Sequence, residues 1–485
     1  MPAASQHAKI LQEEALRLAE QRRRIRATVT PTADADVRRV LRQIGQPVTL
    51  FGEREMERRD RLQKLMAMMD EDERDAALAR AEEEVEMLDQ DTAPKELFYT
   101  EGPPTLKDAR LQIARFSMGR AAKRLAAARR RRESADEDED AEADEAVAAA
   151  RRVVNQCSEM GDERPLAAAA FSPDAAVLAT AAWSGLLKLW AMPGCAKLLT
   201  IRAHSDRVTG IAWHPDARGE AVARSGAPDA ASPADAMHVD GGSGAIGGTV
   251  QLATGGADCT LRLWGAGGAP LRTLAGHTKR LGRVAFHPMG AHVGSASFDG
   301  TWRLWDAEAG ACLLEQEGHS REVYALAFHP DGALAASGGL DAIGRVWDLR
   351  TGRSIMVLEG HVKALLALDF APGGGLLASG SEDHTARVWD LRQRRCLYTL
   401  PGHRSLVSQV RFEPSDGHVL LTAGYDSAAK LWSARDWQLA RTLAGHEGRV
   451  MGADIAPDGS GLVATVSYDR TVKLWAPEDP PPEEL

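Results

Sequence analysis

Apolar and polar positions alternate along the C-terminal two thirds of the chain in short runs. Between Val323 and Gly360 the runs are VYALAF, LAASGG, GRVWDL and SIMVLEG, with Pro, Asp or Gly between most of them. Short runs of this kind, bounded by turn-forming residues, predict half-buried β-strands. Four strands therefore make up one unit of the pattern.

The unit recurs at a nearly constant spacing. Successive repeat tryptophans are 74, 41, 42, 42, 43 and 43 residues apart. The last six units also carry a loop histidine and an aspartate six residues before the tryptophan. A loop imidazole, a turn carboxylate, a strand hydroxyl and an indole N–H can satisfy one another in a buried network. The predicted members are His204, His277, His319, His361, His403, His446, Asp258, Asp299, Asp341, Asp383, Asp426, Asp469, Trp190, Trp264, Trp305, Trp347, Trp389, Trp432 and Trp475.

Two units depart from the pattern. In the first unit Ser184 takes the place of the aspartate, so we expect this unit to be the least tightly held. In the second unit the interval of 74 residues leaves an excess of about 32 residues over the usual repeat. The excess falls within residues 216–249, which are rich in Gly, Ala, Ser and Pro. This composition predicts a disordered insertion.

The repeats resemble the WD40 family, although only Trp305, Trp347 and Trp389 are followed by Asp. The resemblance implies a mainly β fold, a seven-bladed WD40 β-propeller over residues 151–476, preceded by an α-helical N-terminal region. A propeller must close, because an open one would leave unpaired strand edges. The last unit stops after its third strand, so ARRVVNQC, near the start of the domain, is predicted to pair onto blade seven.

The N-terminal third divides by composition. Residues 1–33 are predicted to form a partly disordered helix, 34–70 a helical pair, 71–132 a helical basic segment and 133–150 an acidic linker, and 477–485 are a tail. In the helical pair, apolar residues at i, i+3, i+4 and i+7 begin at Val37, and Gly45 ends the first helix. Leu50 and Phe51 are predicted to form an apolar hinge between the two helices. The pair has too few apolar residues to be stable alone, so we expect it to dock on a partner or on the propeller.

A second resemblance covers nearly the whole chain. LRQIGQPVTLFGEREMERRDRLQKL looks like the short splicing-factor motif, and the likeness to the pre-mRNA-processing factor four family continues through TEGPPTLKDARLQIARFSMGRAAKRL and blade sequences such as GLDAIGRVWDLRTGR. It implies a non-catalytic scaffold of the U4/U6 small nuclear ribonucleoprotein and the U4/U6.U5 tri-snRNP, acting in pre-mRNA splicing in the nucleus and its speckles. The implied partners are pre-mRNA-processing factor three, a cyclophilin and, directly or indirectly, U4/U6 small nuclear RNA.

Basic and apolar residues alternate over 100–132, and a helix with both faces could contact RNA phosphates or an import receptor. A solvated helix face is the alternative. On the propeller, arginines and tryptophans that depart from the repeat, among them Trp183, Trp302 and Trp437, are further candidates. We expect the arginines to be the stronger ones. The candidate contacts are Leu50, Phe51, Lys107, Arg110, Arg115, Arg120, Lys123, Arg124, Arg350, Arg353, Arg392, Arg394 and Arg395.

Composition and short motifs narrow the possible classes of function. The net charge of −10 excludes binding of nucleic acid by overall attraction, so any RNA contact must be local. The five cysteines are scattered, which predicts neither a metal site nor a disulfide framework. Neither a signal peptide nor a membrane span is predicted. No phosphate loop, zinc helix or nucleophile elbow occurs, so no enzyme activity and no cofactor are predicted.

Two other classes of function stay open at this point. One is a WD40 adaptor such as a ubiquitin-ligase substrate receptor, which would lack the motif at 37–65. The other is a propeller enzyme, which would need acidic residues around the central channel. The repeat pattern indicates no such acidic set.

Overall fold

The computed structural model describes residue 31 and residues 34–48, 54–70, 103–133, 137–219 and 250–478. It divides into two compact units, one within Met1–Leu97 and one within Phe98–Leu485. Most of the predicted N-terminal helix, the insertion and the tail lie outside the described residues, as do Leu50 and Phe51. Among the residues that are described, no helix is long and apolar enough to cross a membrane.

The first unit is a helical pair, as the apolar spacing predicts. Helix α1 spans Asp34–Gln43 and helix α2 spans Glu55–Met68. Val37, Val40 and Leu41 of α1 pack with Leu62 and Met66 of α2. Gly45 lies in the turn that follows the first helix, and its φ of +71° is the left-handed conformation that glycine adopts without strain.

The second unit contains seven four-stranded antiparallel sheets, which confirms the predicted seven-bladed propeller. Blade one is β2 to β5, Leu166–Phe171, Val177–Ala182, Leu186–Ala191 and Ala196–Arg202. Blade two is β6 to β9, Val208–Trp213, Val250–Gly256, Thr260–Gly265 and Pro270–Ala275. Blade three is β10 to β13, Leu281–Phe286, His292–Ser297, Trp302–Asp306 and Cys312–Gln316. Blade four is β14 to β17, Val323–Phe328, Leu334–Gly339, Gly344–Asp348 and Arg353–Leu358.

The remaining blades follow the same order. Blade five is β18 to β21, Leu365–Phe370, Leu376–Ser381, Ala386–Asp390 and Arg395–Leu400. Blade six is β22 to β25, Val407–Phe412, Val419–Gly424, Ala428–Ser433 and Leu439–Ala444. Blade seven is β26 to β28, Val450–Ile455, Val463–Ser467 and Thr471–Pro477, with β1, Val153–Met160, as its outer strand. A short 3-10 turn, Ala266–Gly268, lies between β8 and β9.

Strand β1 closes the ring. It pairs antiparallel with β28, from Val153 opposite Pro477 to Met160 opposite Thr471. The predicted pairing of this segment onto blade seven is confirmed. Because β1 is continuous with blade one, the two ends of the propeller are joined by backbone hydrogen bonds and no outer strand is left unpaired there.

The apolar core lies between neighbouring blades. Trp190 of blade one, for example, packs in one cluster with Ala464, Val472 and Leu474 of blade seven. The second strand of blade one, VLATAA, is buried along its whole length. Small side chains there allow adjacent sheets to approach, and the large indoles fill the space that is left.

Two helices join the propeller. Helix α3, Pro104–Glu133, packs Leu106, Ala109 and Ile113 against a cluster that includes Trp302 and Trp347. Helix α4, Glu137–Arg151, leads into β1, and Ala150 is buried against blades six and seven. The acidic linker predicted over 133–150 is therefore corrected to a helix over most of its length. The run contains many Glu and Ala residues, which favour helix, and its apolar end has a surface to pack against.

The four loop or turn regions of each blade lie on two faces of the disc. Face A carries the loops that precede the first strands and the turns between second and third strands. Face B carries the turns between first and second strands and between third and fourth strands. This follows from the antiparallel order of the strands, which reverses direction at every turn.

Candidate functional site

Six blades contain the same hydrogen-bonded set, which we call the blade tie. In blade five, His361 Nδ1 lies 2.8 Å from Asp383 Oδ2, and His361 Nε2 lies 2.8 Å from Ser379 Oγ. Trp389 Nε1 donates to the same hydroxyl over 2.8 Å. The other ties join His204, Asp258, Thr254 and Trp264; His277, Asp299, Ser295 and Trp305; His319, Asp341, Ser337 and Trp347; His403, Asp426, Thr422 and Trp432; and His446, Asp469, Thr465 and Trp475.

The hydrogen-bond directions in a tie follow from the donors available. A carboxylate can only accept, so the histidine donates from Nδ1, and its Nε2 accepts the hydroxyl proton. The hydroxyl oxygen then accepts the indole N–H. Burial lowers the pKa of His361, although the hydrogen bond to Asp383 opposes the shift. Burial raises the pKa of Asp383, but the hydrogen bonds from Thr385 and His361 outweigh it and bring the pKa to about 2.

Blade one has a different tie. Trp190 Nε1 donates to Thr180 Oγ1 over 2.9 Å, as in the other blades. Asp162 occupies the loop position of the histidine and accepts a hydrogen bond from Ser184. Lys188 Nζ lies 3.1 Å from the same carboxylate. The expectation that Ser184 leaves this blade weakly held did not anticipate Asp162 and Lys188, which supply a charged tie of their own.

A second set of histidines connects blades on face B. His287 Nε2, at the end of blade three's first strand, lies 2.8 Å from the carbonyl oxygen of Gly332 in blade four. His329 Nε2 makes the same contact with Gly374 of blade five over 3.0 Å. Gly332 has a φ of +82°, and a Cβ there would lie 2.8 Å from the His287 ring, so only glycine fits. These contacts hold neighbouring blades together and give both ring nitrogens a structural role.

Charged residues line the central channel, whose cavity measures about 330 Å³, and three of them, Asp369, Arg411 and Asp454, interact with one another. Arg411 Nη1 lies 3.4 Å from Asp369 Oδ1, and Arg411 Nε lies 3.5 Å from Asp454 Oδ1. The sequence-based prediction that no acidic set surrounds the channel is therefore wrong. Each carboxylate also accepts a backbone N–H from the next blade, of Phe412 over 2.7 Å and of Phe171 over 2.8 Å. The set is paired internally and holds blades five, six, seven and one together.

Burial raises the pKa of Asp369 to about 6, against the opposing charge of Arg411. Burial also raises the pKa of Asp454, and Arg411 again opposes the shift. Within the described part of the chain, no group of three or more His, Cys, Asp and Glu residues could hold a metal ion.

Arginines stack on aromatic rings on face A. The guanidinium carbon of Arg207 lies 4.5 Å from the ring centroid of Trp183, and that of Arg280 lies 3.9 Å from the ring centroid of Phe298. Trp183 is half-buried here, and its ring meets Tyr468 edge-on at 5.7 Å. The two other candidate tryptophans, Trp302 and Trp437, are buried in the core.

The candidate arginines of blades four and five lie on face B. Arg392 and Arg394 are exposed in the turn between the third and fourth strands of blade five, and Arg353 and Arg395 are exposed at the first positions of fourth strands. Arg350 is exposed as a residue, but its Nε and Nη2 lie 3.0 and 3.2 Å from the carboxylate of Asp348. Arg350 also lines a groove with Lys107, Arg110 and Leu111 of α3. The structure thus brings a candidate arginine of blade four close to the candidate basic residues of α3, which are far from it in sequence.

The basic residues of α3 divide into docking and exposed groups. Arg124 Nη2 lies 2.6 Å from Asp331 Oδ2 of blade four, so this arginine fastens the helix to face B. Arg120 lies over the ring of Phe116 at 5.3 Å, and Phe116 contacts His287. Lys107, Arg115 and Lys123 are exposed, and Arg110 is half-buried.

Comparison with known proteins decides the family. The model of the WD domain, G-beta repeat, matches seven segments, 157–191, 195–226, 268–306, 310–348, 352–390, 394–433 and 437–476, which together make up more than half of the chain. The chain belongs to the WD40-repeat family. A second model, pre-mRNA processing factor 4 (PRP4) like, matches residues 37–65 of this WD40 protein, which include most of α1 and α2.

Several relatives of this WD40 protein are named as U4/U6 small nuclear ribonucleoproteins. It is 44% identical over 211 residues to the U4/U6 small nuclear ribonucleoprotein Prp4 of Homo sapiens, covering 43% of this chain and 40% of the relative. It is 45% identical over 275 residues to the U4/U6 small nuclear ribonucleoprotein PRP4-like protein of Arabidopsis thaliana, covering 55% and 43%. It is 30% identical over 291 residues to U4/U6 small nuclear ribonucleoprotein PRP4 of Saccharomyces cerevisiae, covering 59% and 56%. The matches thus span about two fifths to just over half of these relatives.

Sequence reasoning missed the channel residues of this WD40 protein, although a signal was present. Asp369, Arg411 and Asp454 all fall one residue before the end of a blade's first strand. In blades one to four that position holds Ala170, Ala212, Ala285 and Ala327. Aligning the first strands would have shown three consecutive blades with a charge where the others have alanine.

Proposed function

We propose that this WD40 protein is a non-catalytic scaffold subunit of the U4/U6 small nuclear ribonucleoprotein and of the U4/U6.U5 tri-snRNP, acting in pre-mRNA splicing in the nucleus and its speckles. The observation that carries the proposal is the presence of a PRP4-like segment at 37–65 and a seven-bladed propeller on one chain. The names of the relatives support it.

The proposed mechanism is bivalent binding. The helical unit at 34–70 binds one component, and the propeller binds another. Joining two binding modules in one chain raises the effective concentration of the second partner once the first is bound. The proposed partners are pre-mRNA-processing factor three, a cyclophilin and U4/U6 small nuclear RNA, whose contact is direct or indirect.

The chemistry of the described residues supports a role without turnover. The histidines of the blade ties and of the blade contacts on face B have both ring nitrogens engaged, as in His361 and His287. The channel carboxylates face Arg411 at 3.4 and 3.5 Å and accept backbone N–H groups. A general base must have a lone pair available for substrate, and these groups are engaged within the protein.

Face B is the proposed partner surface of the propeller. The exposed Arg353, Arg392, Arg394 and Arg395 share this face with the docked helix α3 and its exposed Lys107, Arg115 and Lys123. The basic surface is local, since the chain as a whole carries a net charge of −10. Arginine is enriched at both protein and RNA interfaces because its planar group makes several hydrogen bonds at once.

Reconstitution tests the proposal. The full chain is mixed with recombinant factor three and cyclophilin, and complexes are measured by size-exclusion chromatography with light scattering. We expect a ternary complex, loss of the propeller-bound partner in Arg392→Glu/Arg394→Glu, and retention of the partner bound by the helical unit. The matched control is Arg441→Glu, an exposed site on the outer strand of blade six. Absence of any complex with both proteins, while the chain remains folded, would contradict the assigned partners.

A further inference from the structure

Helix α3 carries a second apolar stripe that the propeller does not cover. Leu111, Met118 and Leu125 follow one another at intervals of seven residues and are 49%, 59% and 46% exposed. Ala114, Ala121 and Ala128 lie three residues after each of them and are half-buried. Positions 111, 114, 118, 121, 125 and 128 thus repeat the a and d spacing of a heptad. We call these six residues the α3 seam.

The seam is distinct from the face that docks α3. The docking face consists of the buried Leu106, Ala109 and Ile113, continued by the Arg124–Asp331 ion pair. At 3.6 residues per turn the centre of the seam lies about 100° around the helix from that face. Large apolar side chains on a solvent-facing side of a helix cost free energy when left in water, and a contiguous row of them marks a contact surface.

The N-terminal end of the seam opens into a groove of about 460 Å³ between α3 and blade four. Leu111 and Ala114 of the seam line this groove, and Lys107, Arg110 and Arg350 contribute cations. Arg350 is held in place by Asp348. An elongated ligand on the seam would therefore enter a preformed recess at one end.

The charges beside the seam have one sign. From Ala109 to Arg132 the sequence contains no Asp or Glu. Helical geometry places Arg110 on one side of the seam and Arg115 and Arg129 on the other. In paired helices the residues flanking the apolar row select the partner by charge. A cationic rim selects an acidic helix and disfavours a second copy of α3, which would bring like charges together.

We propose that the α3 seam and its groove bind an acidic amphipathic helix of a partner protein. The partner's apolar residues pack between Leu111, Met118 and Leu125, where the intervening alanines permit close approach of the two backbones. Its Asp and Glu residues pair with Arg110, Arg115 and Arg129. RNA phosphates would contact the cations, but RNA would not bury the apolar row. The inference goes beyond the proposed function, because it names a ligand class whether or not the chain binds U4/U6 particles.

The test measures binding of fluorophore-labelled synthetic helical peptides to the full chain by fluorescence anisotropy. One peptide has Leu at positions a and d and Glu at e and g, and a second has Lys in place of each Glu. We expect the acidic peptide to bind at least about tenfold more tightly than the basic one. Met118→Gln/Leu125→Gln should weaken binding by about tenfold or more, because burial of two large side chains is lost. Arg115→Glu should weaken it as well.

Lys123→Glu is the matched charge control, because Lys123 lies on the side of α3 away from the seam. It should change the affinity less than about twofold. Circular dichroism checks that each variant is folded, and Leu125→Gln alone replaces the double variant if that one is not. Equal binding of the two peptides, or binding unaffected by Met118→Gln/Leu125→Gln, would overturn the proposal. The proposal would also be overturned if an oligouridine RNA competed with the acidic peptide while the seam variants bound that peptide as tightly as the parent. A dimer of the chain that Met118→Gln abolishes would overturn it as well.

Discussion

The hydroxyl of Ser379 serves two buried partners at once. It lies 2.8 Å from His361 Nε2 and 2.8 Å from Trp389 Nε1, and its own side chain is fully buried. Four other blades place a threonine at the equivalent position, Thr180, Thr254, Thr422 and Thr465. The recurring requirement is therefore a hydroxyl, and the size of the side chain is secondary.

Replacing Ser379 by Ala should lower the free energy of unfolding by about 2–4 kcal/mol, because an imidazole nitrogen and an indole N–H each lose a buried partner. Urea unfolding followed by tryptophan fluorescence measures the loss. Ser379→Thr, which keeps the hydroxyl, should lose less, and Ser415→Ala at an exposed site should stay within about 0.5 kcal/mol of the parent. Equal stability of Ser379→Ala and Ser415→Ala would show that the tie contributes nothing.

The propeller should lose stability in mild acid, at pH values above those at which most carboxylates titrate. Burial lowers the pKa of His287 to about 4 and lowers the pKa of His361 and His446 from the ordinary 6.5. The unfolded chain then binds more protons than the folded one, so stability falls as the pH drops from about 6.5 towards 4. The raised pKa of Asp369, about 6, acts in the opposite direction. Lowered values at His214, His292 and His329 add to the destabilising side.

Urea midpoints measured at about pH 7.5 and about pH 5 check the sign. His287→Gln should be less stable at the higher pH but should lose less stability on acidification. His384→Asn, at an exposed turn residue, should keep the parent slope. A urea midpoint that is the same or higher at the lower pH would contradict the conclusion that the buried histidines are neutral in the folded protein.

Residue positions that repeat were predictable, and those that occur once were not. The set represented by His361, Asp383 and Trp389 recurs in six blades, so the pattern itself indicates which side chains meet. Asp162 and Lys188 replace the usual pair in one blade only, and no periodicity points to them. The partner of His287 is a carbonyl in the next blade, a contact that depends on how two sheets pack.

At the scale of elements, the closing strand β1 was predictable from the sequence and the helix α4 was not. Counting strands left blade seven one strand short, and β1 supplies it, because an unpaired edge must find a partner. The acidic segment before it was interpreted as a linker because of its charge. The segment forms a helix over Glu137–Arg151, and Ala150 near its C-terminal end is buried against the propeller. Charge composition does not reveal such packing.

Docking of α3 can be loosened without unfolding the propeller. Ile113 is 1% exposed beneath the helix, so Ile113→Ala should cost about 2–5 kcal/mol of packing at this contact. Limited trypsin digestion should then cut at Arg115 and Arg120 faster than in the parent, while the blades resist. Leu111→Ala, on the uncovered seam, is the control and should leave the cleavage rate unchanged. The same rate in both variants would mean that Ile113 does not hold the helix down.

The whole chain joins a two-helix unit, most of which matches the PRP4-like family model, to a closed seven-bladed propeller. The number of blades and the closure of the ring were predictable, because each blade repeats the same pattern of residues and strands. The position of α3 on face B and its uncovered seam were not, since they depend on contacts between distant segments. A closed propeller with exposed arginines on face B is suited to the proposed role of holding components in place.

The most direct measurement recovers the tagged full-length chain from nuclear extract and quantifies the small nuclear RNAs that come with it. The account predicts that U4 and U6 RNA are enriched together over other small nuclear RNAs and over a tag-only control. Recovery of a folded, soluble chain without U4 and U6 RNA would contradict it.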